Sequence, residues 1–240
     1  MEELMVYIIA EAGVDHEGSM KRANTLLYRA VEAGADCFKM QYYIEGYKGA
    51  HRTLPWLRPH DMYAIEAKCK AMEIDFLLTP HDEWALNYII QNTNLDTIKI
   101  GSGGWDLLPK AIETGKDLIV STGGKYWAEV MKLAKELEAT GGDHSILYCV
   151  SKYPCPPEDV HLSDLVEWCP SLKLNVGYSD HTRGTAIALT AVALGAKIIE
   201  KHITLEQDVA GRNDTTCSLP PDQWPHFVED IRKIEQALAG

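Results

Sequence analysis

Short apolar runs of strand-forming residues recur along the whole chain, about thirty residues apart, which is the size of one strand–helix unit. Eight such runs are present, at 6–10, 37–41, 76–79, 97–100, 118–121, 146–150, 174–178 and 197–201. Nearly continuous apolar runs are typical of parallel strands that are covered on both faces. Eight units with no large remainder predict an α/β protein, a (β/α)8 TIM barrel forming a single domain over residues 1–240. An open doubly wound sheet is the alternative, but it would not require eight units.

The segments between these runs have the spacing of amphipathic helices. The first helix is predicted to begin near Ser19 and to end by Gly34. Between the fifth and sixth runs, Gly141 ends an apolar stripe formed by Val130, Leu133, Ala134 and Leu137. In the last helix, Pro221 is predicted to lie in the first turn, ahead of an apolar stripe formed by Trp224, Phe227, Val228, Ile231 and Leu238.

Composition excludes several classes of function. The chain has 46% hydrophobic and 24% charged residues, as globular proteins do, and a net charge of −12. A surface of that sign repels phosphate backbones and anionic lipids, so neither nucleic acid nor a membrane is a predicted partner. Six cysteines without a C-x-x-C pair, and an N-terminus without a basic and apolar leader, predict a cytoplasmic location.

Polar side chains are predicted to gather at one end of the barrel. In TIM barrels the active site lies at the carboxyl ends of the strands. Lysines and carboxylates within apolar runs are costly unless they are paired or bind a ligand. The residues at these ends therefore predict a catalytic mouth; they are Glu11, Lys39, Gln41, Thr79, Lys99, Ser102, Ser121, Ser151, Tyr153, Ser179, His181, Glu200 and His202.

Two histidines follow adjacent strands. His181 and His202 follow the seventh and eighth runs, so their imidazoles can share one divalent ion and leave coordination positions for water and substrate. The alternative is that each histidine only forms hydrogen bonds at the barrel rim. Two imidazoles in register favour the metal site.

Lysines and serines predict an anion site beside these histidines. Lys39 and Lys99, together with Ser102, Ser121 and the glycine-rich turn 101–104, can hold a phosphate or carboxylate. The alternative is that both lysines extend to the barrel rim.

Two carboxylates are candidates for contacting a sugar. Glu11 and Asp214 can accept hydrogen bonds from hydroxyl groups or carry protons. Asp214 lies in an irregular stretch, 208–218, where the alternative is a solvated loop aspartate.

An ordered series of motifs runs from Ile8 to about Glu235. The motifs are IAEAGVDHEG at 9–18, AGAD at 33–36, TP at 79–80, KIGSG at 99–103, STG at 121–123, GYSDHT at 177–182, ALGA at 193–196 and EKHIT at 200–204. In this order and at these positions they resemble the sialic acid (N-acetylneuraminate) synthase family. Its members condense phosphoenolpyruvate (PEP) with an N-acetylated aldose.

The resemblance implies a transferase that forms a carbon–carbon bond between PEP and an N-acetylmannosamine-like aldose, releases phosphate and yields a nonulosonic acid. It implies that Glu11, Lys39, Lys99 and Glu200 are catalytic. PEP would be held by Lys39, Thr79, Lys99, Ser102, Ser121 and Ser179. The sugar would face Glu11, Gln41, Tyr153 and Asp214, and Ser151 would be a further substrate-binding residue. His181 and His202 would hold a divalent metal beside Glu200, Mn²⁺ or alternatively Mg²⁺ or Co²⁺.

Three features depart from the family pattern. Gly104 stands where the family commonly has a glutamate, and Ser151 stands where related synthases often have an asparagine. The chain ends after the eighth helix, so we expect no antifreeze-like domain, which in the family lends a sugar-contacting arginine to the partner subunit. A homo-oligomer would then not be of the swapped type held by that domain. We expect PEP and metal binding to be retained and N-acetylmannosamine to be a weak acceptor.

Two other functions remain open at the level of sequence. One is a PEP- or sugar-binding pseudoenzyme, which the departure at Gly104 favours. The other is a barrel lyase or aldolase, which would need a Schiff-base lysine. Nothing in the sequence marks Lys39 or Lys99 for that role.

Overall fold

The computed structural model describes residues 5–48 and 54–239, so the predicted domain of residues 1–240 extends beyond the described residues at both ends and at 49–53. Eight strands lie within this part of the chain: β1 (Tyr7–Gly13), β2 (Cys37–Tyr42), β3 (Asp75–Pro80), β4 (Thr97–Ile100), β5 (Asp117–Ser121), β6 (Ser145–Cys149), β7 (Asn175–Asp180) and β8 (Ile198–His202). The helices between and after them are α1 (Met20–Glu32), α2 (Pro59–Ala71), α3 (Glu83–Asn92), α4 (Leu108–Glu113), α5 (Trp127–Thr140), α6 (Ser163–Ser171), α7 (Ala186–Ala193) and α8 (Trp224–Leu238).

The strands form one parallel sheet in the order β3-β2-β1-β8-β7-β6-β5-β4. Its two outermost strands, β3 and β4, contact each other, so the sheet curls into a nearly closed barrel. The predicted (β/α)8 TIM barrel is confirmed, and the open doubly wound sheet is excluded.

The barrel interior is built in two layers because alternate residues of a strand face the same side. The lower layer is apolar and contains Ile9, Cys37, Leu77, Ile119, Leu147 and Ile198. Two residues further along the same strands, the chain places Glu11, Lys39, Thr79, Ser121, Cys149 and Glu200. The apolar layer therefore forms the base on which a polar layer rests.

Local sequence signals set the helix boundaries where we expected them. Ser19 caps α1, because its Oγ accepts a hydrogen bond from the Arg22 backbone N–H at 3.3 Å. Gly34 follows this helix with φ = +79°, a conformation that favours glycine. The predicted stripe of α5 is buried, and Gly141 ends this helix in the left-handed region.

Two expectations for the last helix are wrong. Helix α8 begins at Trp224, and Pro221 lies in the preceding turn, where the Gln223 N–H donates to the Pro220 carbonyl. Pro225 is the proline in the first turn of α8. Leu238 is 58% exposed because it lies in the final turn, beyond the part of the stripe that the barrel covers.

Each of the six cysteines, all within the described residues, is a free thiol. Within residues 5–48 and 54–239, no helix is both long enough and apolar enough to cross a bilayer.

Candidate active site

A cavity of about 150 Å³ opens at the carboxyl ends of the strands. Of the predicted site residues, all except Asp214 line it. Every strand contributes at least one of these side chains, as expected for a TIM-barrel active site.

The cavity floor carries two lysines and two glutamates. Lys39 Nζ lies 2.6 Å from Glu11 Oε2 and 3.4 Å from Glu200 Oε2, and Lys99 Nζ lies 3.5 Å from the same Glu200 oxygen. None of these four side chains is more than 5% exposed. Because water cannot solvate these buried charges, the attraction between the lysines and the glutamates offsets the free-energy cost of burying them.

Three hydroxyl groups orient these charges. The Lys39 ammonium donates to Thr79 Oγ1 at 3.0 Å, and the Lys99 ammonium donates to Ser121 Oγ at 2.7 Å. Ser179 Oγ donates to Glu200 Oε1 at 2.9 Å. Each ammonium has three N–H groups. Lys39 faces three acceptors, on Thr79, Glu11 and Glu200. Lys99 faces two, on Ser121 and Glu200, so its third N–H can donate to a bound anion.

The four charges shift one another's pKa values. Burial raises the pKa of Glu11, and the nearby Lys39 ammonium offsets only part of that rise. Burial acts in the same direction on Glu200, but Lys39 and Lys99 together hold its pKa below the ordinary value. Glu11 is therefore the carboxyl group of the floor that more readily takes up a proton.

The pKa values of the two lysines also shift in opposite directions. Burial lowers the pKa of Lys39, yet the carboxylates of Glu11 and Glu200 outweigh it and leave that pKa raised. Burial also lowers the pKa of Lys99, and Glu200 does not fully compensate, so that pKa is lowered.

Ser102 is fixed by the loop that follows β5. Its Oγ accepts a hydrogen bond from the Gly123 N–H at 2.8 Å and lies 3.1 Å from Cys149 Sγ. A Cβ atom on Gly123 would lie 2.2 Å from Ser151 Oγ, so only glycine fits there. Two predicted substrate-binding serines, Ser102 and Ser151, thus lie next to the same glycine.

The two predicted metal ligands lie side by side. The ring centroids of His181 and His202 are 5.7 Å apart, and both side chains are buried. The Nδ1–H of His181 donates to the Val150 carbonyl oxygen at 2.8 Å, which leaves Nε2 as a potential ligand atom. Burial lowers the pKa of each imidazole to about 4, so both are neutral near pH 7, the form that binds metals.

This donor set fits a divalent ion that completes its coordination with water or substrate. Within residues 5–48 and 54–239, no cluster of three or more His, Cys, Asp or Glu side chains has metal-binding geometry. The two imidazoles would therefore form an open site, and the metal stays a prediction.

The rim carries the predicted sugar contacts. The Tyr153 ring centroid lies 4.1 Å from that of His181 and 6.0 Å from that of His202. Asp214 does not line the cavity, but its negative charge acts on His202 and raises that pKa, against the larger effect of burial. A Cβ on Gly13 would lie 3.4 Å from Asp214 Oδ2 and 3.6 Å from Gln41 Nε2, so these groups surround Gly13.

Sequence reasoning missed two cavity residues, His81 and Cys149. Both continue the inward alternation of their strands, His81 after Leu77 and Thr79, and Cys149 after Leu147. Extending the period-two pattern to the strand ends would have found them.

Comparison with known proteins identifies relatives along the whole chain. The NeuB family model matches residues 46–240. An uncharacterized protein from Methanocaldococcus jannaschii is 35% identical over 98% of this chain and 72% of its own length. The N,N'-diacetyllegionaminic acid synthase of Campylobacter jejuni is 33% identical over 96% of this chain and 77% of its own length.

The fold has relatives among solved structures. The crystal structure of N-acetylneuraminic acid synthetase from Leptospira borgpetersenii superposes with a TM-score of 0.90 at 28% identity. The match covers 98% of this chain and 86% of that one. Sequence and structure comparisons therefore both find synthases that are named for N-acetylated acidic sugars.

Proposed function

Because the chain belongs to the NeuB family, we propose that it condenses PEP with an open-chain, N-acetylated aldose to give a nonulosonic acid and inorganic phosphate. Its relatives include synthases named for N-acetylneuraminic and N,N'-diacetyllegionaminic acids. An N-acetylmannosamine-like aldose is the acceptor class that we propose.

The observation that carries this proposal is the juxtaposition of a charged floor with a pair of neutral imidazoles. Lys39 and Lys99 are buried cations, and their positive charges suit the phosphate and the carboxylate of one small ligand. The imidazoles of His181 and His202 line the same cavity. One pocket thus offers an anion site beside a site that suits an electrophile.

The reaction can be assigned to these residues. The lysines and Ser121 would bind PEP, whose methylene carbon attacks the aldehyde carbon of the sugar and forms the new C–C bond. Glu11, protonated because its pKa is raised, would donate that proton to the aldehyde oxygen as the C–C bond forms, and Glu200 would stabilise positive charge at C2. Water would then add to the cationic C2 of the PEP unit, and the Glu11 carboxylate would accept the proton that the water loses. The bond between C2 and the phosphate oxygen would break, and the hydroxyl proton would leave with the phosphate as the C2 ketone forms.

A divalent ion, which we propose to be Mn²⁺ with Mg²⁺ or Co²⁺ as alternatives, would polarise the aldehyde oxygen when bound. His181 and His202 would hold it through their Nε2 atoms. Tyr153, which packs against both rings, would restrict their orientation and exclude water.

Phosphate release from PEP across a panel of aldoses, with Mn²⁺ and with chelator, tests this function. We expect aldose-dependent release of one phosphate per new C–C bond, lost with chelator. Release that does not depend on any aldose, or none with the whole panel, would contradict the proposal. A pseudoenzyme would bind PEP in calorimetry and release no phosphate.

One observation favours a second candidate, a Schiff-base aldolase. The lowered pKa of Lys99 is a property of lysines that form imines. Borohydride treatment in the presence of an α-keto acid would trap a covalent adduct on Lys99 if this candidate were correct. We expect no adduct, because Lys99 Nζ is held by Ser121 and Glu200.

A further inference from the structure

His81 stands on the cavity wall across the barrel from the imidazole pair. It follows β3, and β3 lies four strands from β7 in the sheet order, on the opposite side of the barrel. Its position two residues beyond Thr79 places it one layer nearer the mouth than the lysines of the floor. His81 therefore borders the space above the anion site and away from His181.

The imidazole of His81 has an unused hydrogen-bonding atom. Its Nε2 is buried and has no hydrogen-bond partner among the described residues. The ring is held by aromatic contacts, with centroids 6.3 Å from Tyr43 and 6.2 Å from Tyr47. A buried polar atom without a partner is costly, so a ligand that supplies the missing hydrogen bond gains affinity.

The imidazole is uncharged in the free protein. Burial lowers the pKa of His81 to about 4, and the positive charges of Lys39 and Lys99 act in the same direction. A neutral imidazole with one N–H and one lone pair suits a hydroxyl group, which can both donate and accept.

The cavity wall beside His81 is formed largely by glycine residues, which have no side chains. β4 is the neighbour of β3, and the turn after it contains Gly101, Gly103 and Gly104, all of which line the cavity. A Cβ atom on Gly103 would meet nothing within 4 Å. A chain of hydroxylated carbons can therefore reach His81 along this wall.

We propose that His81 contacts the acceptor sugar, with Nε2 hydrogen-bonded to a hydroxyl group at the end of the aldose away from its aldehyde. This inference rests on the proposed function, in which the aldehyde faces His181 and His202. It makes His81 a residue that selects acceptors by a distal hydroxyl group, without contacting PEP.

Calorimetry with a non-reactive acceptor tests the contact without turnover. N-acetylmannosaminitol, which lacks the aldehyde and cannot condense, is titrated into the protein in the presence of PEP and Mn²⁺. One neutral hydrogen bond predicts a loss of about threefold to tenfold in alditol affinity for His81→Phe. PEP affinity should change less than twofold. His81→Gln, whose amide nitrogen can replace Nε2, should regain part of the loss.

Two controls distinguish loss of this hydrogen bond from a general loss of structure in the variant protein. His226→Phe, a matched change at an exposed residue of α8, should leave alditol affinity unchanged. One monodeoxy alditol, lacking the contacted hydroxyl, should bind the parent and His81→Phe equally.

Equal alditol affinity in the parent and His81→Phe, or a loss confined to PEP, overturns this inference and leaves the proposed function standing. A parent protein that binds PEP but none of a panel of alditols and aldoses overturns both. If the melting temperature of His81→Phe is well below that of the parent, the monodeoxy alditol decides. Within each protein, its affinity is compared with that of the full alditol. Removal of the contacted hydroxyl should weaken binding to the parent but not to His81→Phe, and an equal loss in both proteins overturns the inference.

Discussion

Replacing Lys201 by methionine isolates a buried ion pair directly behind the two imidazoles. Lys201 Nζ lies 2.7 Å from Asp180 Oδ2, and both side chains are 0% exposed. Lys201 also donates to the Thr182 carbonyl oxygen. Asp180 and Lys201 immediately precede His181 and His202 in the sequence, so the pair joins the two strand ends that carry the predicted metal site.

The expected cost follows from what the variant leaves behind. In Lys201→Met, the Asp180 carboxylate stays buried and keeps only the Tyr178 hydroxyl at 3.2 Å and the Thr182 N–H at 2.8 Å. Removing one partner of a buried pair costs about 3–5 kcal/mol of unfolding free energy. At about 2–4 °C per kcal/mol for a chain of this size, the melting temperature should fall by roughly 6–20 °C.

Urea unfolding, followed by circular dichroism, measures this loss. Arg183→Met is the matched control, because Arg183 pairs with Asp208 at 2.5 Å with both side chains more than half exposed. An exposed pair contributes about 0–1 kcal/mol. The double variant Asp180→Asn/Lys201→Met should recover much of the loss, since no charge is left unpaired. If Lys201→Met and Arg183→Met lost the same small free energy, the argument from burial would be refuted.

The remaining predictions concern the cavity. Lys99→Met should weaken PEP binding at least about tenfold, because each charge-assisted hydrogen bond contributes about 1.5–3 kcal/mol; equal affinity in calorimetry would contradict this. His181→Ala or His202→Ala should abolish stoichiometric Mn²⁺ binding, measured by metal analysis, without loss of the fold. Gly104→Glu should raise turnover if the carboxylate common in the family is the missing group; the site has room, since a Cβ there meets Gly101 O at 3.6 Å. PEP affinity should fall as pH rises above the ordinary pKa of a glutamate, because an anion beside Glu11 raises its pKa further and couples binding to proton uptake; Glu11→Gln should flatten this dependence, and an unchanged slope would exclude Glu11.

The barrel could be predicted because each of its units repeats one local signal. Runs such as 146–150 consist of hydrophobic residues at every position, which is typical of parallel strands covered on both faces. The polar layer was predicted from the rule that the active site of a TIM barrel lies at the carboxyl ends of the strands. In the structure Lys39 follows Cys37, and Glu11 follows Ile9, at the two-residue spacing of one strand face.

The partners of these residues could not be predicted, because pairing depends on the three-dimensional register of the strands. Nothing in the sequence distinguishes the two lysines. The Lys39 ammonium lies within 4 Å of both glutamates, Glu11 and Glu200, whereas the Lys99 ammonium pairs with Glu200 and not with Glu11. The opposite shifts of their pKa values follow from that difference. The position of Pro221 was mispredicted for a related reason, since a proline favours the start of a helix and a preceding turn alike.

The charges of the floor also explain why the two halves of the proposed site depend on each other. Lys39 and Lys99 are already balanced by Glu11 and Glu200, so the empty floor is close to neutral. A PEP molecule brings about three negative charges into a region where each unit charge 4 Å from another is worth about 4 kcal/mol at an effective dielectric constant of 20. Protonation of Glu11 removes one negative charge, and a divalent ion on two neutral imidazoles would supply two positive ones. Protonated histidines would repel that ion, so the burial that keeps His181 and His202 neutral would let the proposed anion and metal bind together.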